Sequence, residues 1–193
     1  MIRVPNLQTN SPAGCQGCYA AICLPSQEIY MGEACHVSGW GREIWNNQGS
    51  GSTILKEAGV SIMSHNYCEI CTTRKFYHSA YDSNRFEVME SLEFCAGTLD
   101  RNGDGMIDGG DNICKGDSGG PVTCVRNGQP ELAGVTSWAS RCGQFDGSPS
   151  VYVNVMAYLK WIKQTAGWNK EWGGDFDTGN LKPTMRFQIL KTF

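Results

Sequence analysis

Short segments rich in β-branched and aromatic residues recur along the chain, separated by stretches of Gly, Asn, Asp and Ser. Segments of this composition between turn-forming residues are typical of β-strands. The pattern predicts strands over Cys35–Trp40, Leu55–Ile62, Pro121–Val125, Leu132–Trp138 and Ser150–Val155. We therefore expect an all-β fold.

The same pattern predicts one helix, which begins after Asn154 and ends before Gly167. Asparagine is a favourable N-cap, and glycine commonly follows the last turn of a helix. Apolar residues recur between them at helical spacing, at Tyr158, Trp161, Ile162 and Ala166. Beyond the helix the composition changes, so we divide the chain into a domain over residues 1–167 and a C-terminal tail over residues 168–193.

Composition and charge exclude some classes of molecule as binding partners. Lys and Arg number 16 against 19 Asp and Glu, so the net charge of -3 leaves no basic surface for nucleic acid. No apolar run approaches the roughly 18 residues that a membrane-spanning helix needs. We therefore expect neither nucleic acids nor membranes among the partners.

The chain contains 10 cysteines in 193 residues. Reduced cytosolic proteins rarely carry so many, whereas extracellular proteins join them in disulfides. This usage favours a secreted protein. Because the first ten residues lack the apolar core of a signal peptide, we expect the true N-terminus to lie upstream of Met1.

Residues 116–121 read Gly-Asp-Ser-Gly-Gly-Pro. A serine hydroxyl becomes a useful nucleophile when an exposed turn holds it beside a base, and flanking glycines allow backbone N–H groups to converge on an oxyanion. The hexapeptide resembles the nucleophile loop of the trypsin/chymotrypsin family of serine endopeptidases. The resemblance implies that Ser118 is the nucleophile, that the N–H groups of Gly116 and Ser118 form the oxyanion hole, and that Asp117 binds an amine freed by activation cleavage.

Further segments resemble motifs of this family in the same order, at residues 35–41, 94–97, 135–138 and 161–165. They imply a double β-barrel, of which this chain holds mainly the second barrel together with the C-terminal helix, as a partial protease domain over residues 1–167. The implied activity is that of a serine-type endopeptidase acting on protein or peptide substrates.

The resemblance also pairs six cysteines, as Cys35–Cys124, Cys68–Cys95 and Cys114–Cys142. It leaves Cys15, Cys18, Cys23 and Cys71 without assigned partners. Cys23 resembles the cysteine that ties the catalytic domain of two-chain members to an upstream segment. The two C-x-x-C pairs have the spacing of zinc ligands, but the long gap between them favours ordinary disulfides.

The partners of the nucleophile are not recognisable in this chain. None of its three histidines, His36, His65 and His78, stands in the context of the family's catalytic histidine, and Met1–Val4 resembles the strand that follows the catalytic aspartate. We therefore expect an N-terminally truncated chain, inactive by itself, that lacks the catalytic His and Asp and needs a missing upstream protease segment. The alternative is a non-catalytic, calcium-binding pseudoprotease.

The implied specificity pocket is neutral. Its base is Asn112, where trypsin-like members carry an aspartate, and its walls are Ala139 and Ser150. Ser137 and Trp138 belong to the implied substrate-binding strand. A narrow, neutral pocket disfavours Arg and Lys side chains, although Asp111 is close enough in sequence to supply a carboxylate.

Residues 100–111 have a separate pattern, with oxygen-bearing side chains at positions 1, 3, 5, 9 and 12, glycine at position 6 and an apolar residue at position 8. This resembles the calcium loop of EF-hand and dockerin modules, although Asp closes the loop in place of the usual Glu and no helix pair flanks it. The candidate ligands are Asp100, Asn102, Asp104, Met106 through its carbonyl, Asp108 and Asp111. We therefore expect calcium as a cofactor.

Overall fold

The structure is a computed structural model, which describes residues 19–44, 47–76, 88–98, 112–139, 142, 149–166 and 187–190. The strands within these ranges are β1 (Tyr19–Ile22), β2 (Ala34–Gly39), β3 (Lys56–Ile62), β4 (Glu93–Gly97), β5 (Pro121–Arg126), β6 (Gln129–Ala139), β7 (Ser150–Asn154) and β8 (Phe187–Leu190). The helices are α1 (His65–Phe76) and α2 (Leu159–Thr165), the second preceded by a 3-10 turn at Met156–Tyr158.

Six of these strands close into a barrel in the order β2-β3-β4-β7-β6-β5, and every pairing in it is antiparallel. Closure leaves no unpaired barrel edge that another chain could extend. The all-β class is confirmed, and one closed barrel followed by a short helix agrees with the second barrel that the family resemblance implies. The remaining strands, β1 and β8, pair with each other antiparallel.

Alternation along the barrel strands separates the core from the surface. In β2, Cys35 and Val37 are buried while Ala34 and His36 are exposed, as the period of two requires. Tyr152 of β7 lies fully inside the barrel and stacks on Phe94 of β4 with ring centroids 5.4 Å apart. These residues belong to one contiguous apolar core, which holds the barrel together.

Phe94 reaches the barrel interior because its neighbour on β6 has no side chain. A Cβ on Gly134 would lie 2.6 Å from the Phe94 Cζ atom and 3.2 Å from a methyl carbon of Val122. Glycine at this strand position therefore serves close packing against an aromatic ring.

Three disulfides join the same cysteine pairs that the resemblance implies, Cys35–Cys124, Cys68–Cys95 and Cys114–Cys142. The first links directly opposed positions of β2 and β5, where the barrel closes. The second ties α1 to β4, and the third ties the segment before β5 to the segment after β6. Each closes a loop of the unfolded chain and so favours the folded state.

A buried ion cluster joins the approach to β2 to the β5–β6 hairpin. The Arg126 guanidinium donates to both carboxylate oxygens of Glu33, at 2.6 and 2.9 Å, and to Glu131 at 3.1 Å. Glu131 also accepts hydrogen bonds from the backbone N–H and the hydroxyl of Ser26. These carboxylates raise the pKa of Arg126, and removal of one partner from such a buried pair typically costs about 3–5 kcal/mol.

The predicted strands agree with β2, β3, β5, β6 and β7, and the predicted helix with the 3-10 turn and α2. Asn154 acts as expected at its start, because its side-chain oxygen accepts the Met156 N–H at 3.1 Å. Four elements were missed, namely β1, β4, β8 and α1. Helix α1 carries no apolar stripe, and a disulfide rather than an amphipathic face fixes it to the barrel.

Within the described residues, no helix has both the length and the apolar character needed to cross a membrane.

Candidate active site

The segment from Asn112 to Gly120 crosses the end of the barrel and leads into β5. Its turn depends on Gly116 and Gly119, whose φ angles of 105° and 84° lie in the left-handed region that side chains disfavour. Ser118 lies between them and is exposed to solvent. The glycines of the motif therefore present the serine on an exposed, sharply bent loop.

Asp117 fixes this loop to the end of β2. One carboxylate oxygen accepts the Gly41 N–H at 2.7 Å, and the other accepts the Cys114 N–H at 2.8 Å. A Cβ at Gly39 or at Gly41 would collide with the same carboxylate. The Gly-Trp-Gly sequence after β2 thus provides the close approach that the aspartate needs.

The Ser118 hydroxyl lies 3.4 Å from the carbonyl oxygen of Ser137 on β6. That separation is long for an O–H···O hydrogen bond, so the hydroxyl is only loosely held. Ser137 is the extra residue of a β-bulge, because Thr136 and Trp138 pair with consecutive residues of β7. The bulge brings a β6 carbonyl to the nucleophile loop, as bulges near functional sites often do.

The backbone N–H groups of the loop divide into two sets. Those of Asp117, Gly119 and Gly120 donate to carbonyl oxygens at 3.1, 2.9 and 2.9 Å. In the described part of the chain, the N–H groups of Gly116 and Ser118 donate to no acceptor. The N–H of the serine itself and that of the glycine two residues before it are therefore uncommitted in the described part of the chain.

Asn112 and Ser150 meet at the base of the implied specificity pocket. The Ser150 hydroxyl donates to the Asn112 side-chain oxygen, which also accepts the Ile113 N–H at 2.8 Å. Ala139 of β6 is the direct cross-strand partner of Ser150, so these two residues lie side by side. The structure thus brings together three of the residues expected to shape this pocket.

Tyr152 is a neighbour of this site that the sequence analysis missed. Its hydroxyl is buried and makes no hydrogen bond of good geometry with the described residues. Burial raises the pKa of Tyr152 well above its usual value; a weak interaction with Ser150 opposes the rise and the negative charge of Asp117 adds to it, so the phenol stays neutral. An aromatic residue inside a strand carries no local signal of such a position.

The described histidines are engaged away from Ser118. His36 projects from the outer face of β2, and its Nδ1 atom lies 2.7 Å from a Glu57 carboxylate oxygen. His65 lies 3.7 Å from Glu69 on α1. His78 lies outside the described residues. In the part of the chain that the structure describes, no imidazole is hydrogen-bonded to Ser118.

Several other predicted features also fall outside the described residues. They are the calcium loop at residues 100–111 and the cysteines Cys15 and Cys18. For Cys71 the structure describes the backbone but not the side chain. Among the cysteines whose side chains are described, Cys23 is the one without a disulfide partner. Glu33 lies beside the sulfur atoms of Cys35 and Cys124, but the disulfide and the Arg126 ion pair already occupy these groups, so they make no metal site.

A model of the trypsin family matches residues 4–162. This chain belongs to the trypsin family. Members of this family are hydrolases, namely serine proteases that act on protein or peptide substrates. The closed barrel described above is consistent with the trypsin-like fold. Three disulfides are compatible with an extracellular protein.

The contact between Gly41 and Asp117 leads to a stability prediction. Gly41→Ala places a methyl group against a carboxylate that two N–H groups hold, so the loop must shift. We expect the free energy of unfolding to fall by about 1–3 kcal/mol, as for other overpacked sites.

Gly51→Ala is the matched control, because the nearest atom to its added Cβ is the Trp40 carbonyl oxygen at 3.9 Å. Both substitutions reduce the entropy of the unfolded chain to the same extent. A difference between their urea unfolding midpoints therefore reports the steric effect at Gly41. Equal midpoints for the two variants would contradict this account of Asp117.

Proposed function

We propose that the protein is a serine endopeptidase in which Ser118 attacks the scissile carbonyl and the N–H groups of Gly116 and Ser118 stabilise the oxyanion. The observation that supports this most directly is the exposed Ser118 hydroxyl together with the N–H groups of Ser118 and Gly116, which donate to no acceptor among the described residues. An intact Gly-Asp-Ser-Gly-Gly-Pro loop agrees with it, since a protein without catalysis has no chemical need for the serine.

The attack also requires a base that takes the hydroxyl proton. His36 and His65 are paired with glutamates elsewhere, and His78 does not stand in the context of the family's catalytic histidine. We therefore propose that a protease segment outside these 193 residues supplies the base and its orienting aspartate. The 193-residue chain by itself is then expected to be inactive.

A second candidate is a non-catalytic pseudoprotease that keeps the scaffold for binding. The long Ser118–Ser137 contact, with no imidazole beside Ser118 among the described residues, favours it. The two candidates differ in whether Ser118 ever becomes nucleophilic.

A fluorophosphonate probe distinguishes them, because it bonds covalently to activated serines. We expect labelling of Ser118 in the protein secreted from cells that carry the genomic locus, and none in its Ser118→Ala variant. The bacterially refolded 193-residue chain serves as the control and is expected to remain unlabelled. Absence of labelling in the folded, secreted protein would leave the pseudoprotease as the function.

We propose a preference for small, neutral side chains at the residue before the cleaved bond. The Ser150 hydroxyl binds Asn112, and the side chains of Ser150 and Ala139 occupy space that glycines would leave open. Asn112 provides no counter-charge for a buried ammonium or guanidinium group, whose desolvation would then be uncompensated.

Peptide substrates that differ only at this residue test the preference. We expect kcat/KM for Ala to exceed that for Arg by at least about tenfold, the scale set by misfit in such pockets. Ser150→Gly should shift the ratio toward Leu and Phe, whereas Ser150→Ala, which keeps the Cβ, should not. Faster cleavage after Arg than after Ala, Leu and Phe would refute the neutral pocket.

We also propose that residues 100–111 bind calcium, on the strength of their sequence alone. The loop ends beside Asn112, so a bound ion would order the wall of the specificity pocket, while uncompensated carboxylates would repel one another. Peptidase activity of the secreted protein would then depend on calcium.

Thermal unfolding in calcium, magnesium and chelator tests this assignment. Saturation with calcium at about 100 times its dissociation constant should stabilise the fold by about 2.7 kcal/mol. Asp104→Asn should remove most of the shift, and Asp177→Asn in the tail should leave it intact. Unchanged melting temperature and activity in excess chelator would contradict the calcium site.

A further inference from the structure

A second concave surface lies away from the candidate active site and shares no residue with the cleft beside Asp117. It has a volume of about 310 Å³. Its three walls are Glu28–Met31 before β2, Ile62–His65 between β3 and α1, and the glutamates Glu90 and Glu93 at the start of β4. We refer to it as the β3–β4 groove.

Backbone hydrogen bonds between the walls form this groove in advance. Gly32 N–H donates to the Ile62 carbonyl at 2.8 Å, and Met63 N–H donates to the Cys95 carbonyl at 2.9 Å. Glu93 N–H donates to the Met89 carbonyl at 2.8 Å, which fixes the third wall. A ligand would therefore pay little ordering entropy on entering the groove.

Apolar groups form the floor and much of one wall. Ile62 and Phe94 are buried beneath the groove, whereas Tyr30 and Met31 are 58% and 72% exposed at its edge. Large apolar side chains exposed around a cavity mark interaction sites, and Tyr and Met are enriched where proteins meet. The groove thus offers contact area for at least one apolar side chain.

The rim of the groove is acidic. Glu28 and Glu90 are exposed, and neither carboxylate is paired within the part of the chain that the structure describes. Among the described residues, the Glu93 carboxylate accepts the Met89 N–H and pairs with no cation, and His65 is already matched by Glu69 on α1. Among the described lining residues there is no Lys or Arg to offset this charge. Phosphate-bearing and acidic partners are therefore repelled.

We propose that the β3–β4 groove binds an extended segment of a protein partner in which Lys or Arg residues flank an apolar side chain. The apolar side chain would cover Tyr30 and Met31, while the cations would pair with Glu28 and Glu90. A cavity of about 310 Å³ accommodates a few side chains rather than a folded domain. The proposal does not depend on catalysis by Ser118.

Selection from a random octapeptide library on the folded 193-residue chain tests the proposal without naming a sequence in advance. We expect enrichment of peptides with Lys or Arg on both sides of Leu, Ile, Phe or Met. An enriched peptide, labelled and titrated by fluorescence anisotropy, should bind less tightly as salt rises. Glu28→Gln and Glu90→Gln should each weaken it about two- to fivefold, and Met31→Ser about tenfold.

Glu57→Gln is the matched control, since Glu57 is similarly exposed but lies in the other cleft. It should leave the affinity unchanged, and equal melting temperatures should show that all variants are folded. Three results would overturn the proposal: no enrichment of the basic-apolar pattern, an affinity that the groove variants do not alter, or self-association of the chain that Met31→Ser abolishes.

Discussion

The Asp117 carboxylate is the interaction on which the candidate active site depends. It holds the N–H groups of Gly41 and Cys114 and so joins the end of β2 to the segment that carries Ser118. A single side chain on either glycine of the Gly-Trp-Gly sequence would displace it. The exposure of Ser118 and the free N–H groups of Gly116 and Ser118 are consequences of the turn that this carboxylate stabilises. One carboxylate thereby fixes the loop that presents Ser118 at the end of the barrel.

Independent constraints fix the strands around this loop. The Cys35–Cys124 disulfide links β2 to β5 at the point of closure, and the Cys114–Cys142 disulfide ties the segment before β5 to the segment after β6. The Arg126 cluster adds a charged anchor on the hairpin that follows the Ser118 loop. Gly116 lets the loop adopt a left-handed backbone that a side chain would disfavour, and these links hold the strands on which the loop rests.

Strand composition and motif order predicted five barrel strands, the final helix and the residues that meet around Ser118 and Asn112. Strand β4 was missed because it is buried along most of its length and lacks the alternation of a half-buried strand. Helix α1 was missed because its contact with the barrel runs through Cys68 rather than an apolar face. The roles of Gly39 and Tyr152 emerge only in three dimensions, since each depends on a residue distant in sequence.

The proposed specificity pocket and the β3–β4 groove have a combined physical consequence. A pocket formed by Asn112, Ser150 and Ala139 would distinguish small neutral side chains only weakly, because one methylene group changes transition-state binding by about 1–3 kcal/mol. Such side chains are common in proteins, so this pocket alone would select poorly among substrates. If a basic segment of the substrate bound the β3–β4 groove, it would add affinity at a second point. The preferences of the two sites would then multiply, so the enzyme would distinguish better between substrate proteins. Selectivity would then be divided between two surfaces on one rigid barrel, and loss of the groove would broaden the set of proteins cleaved without changing the preference at the cleaved bond.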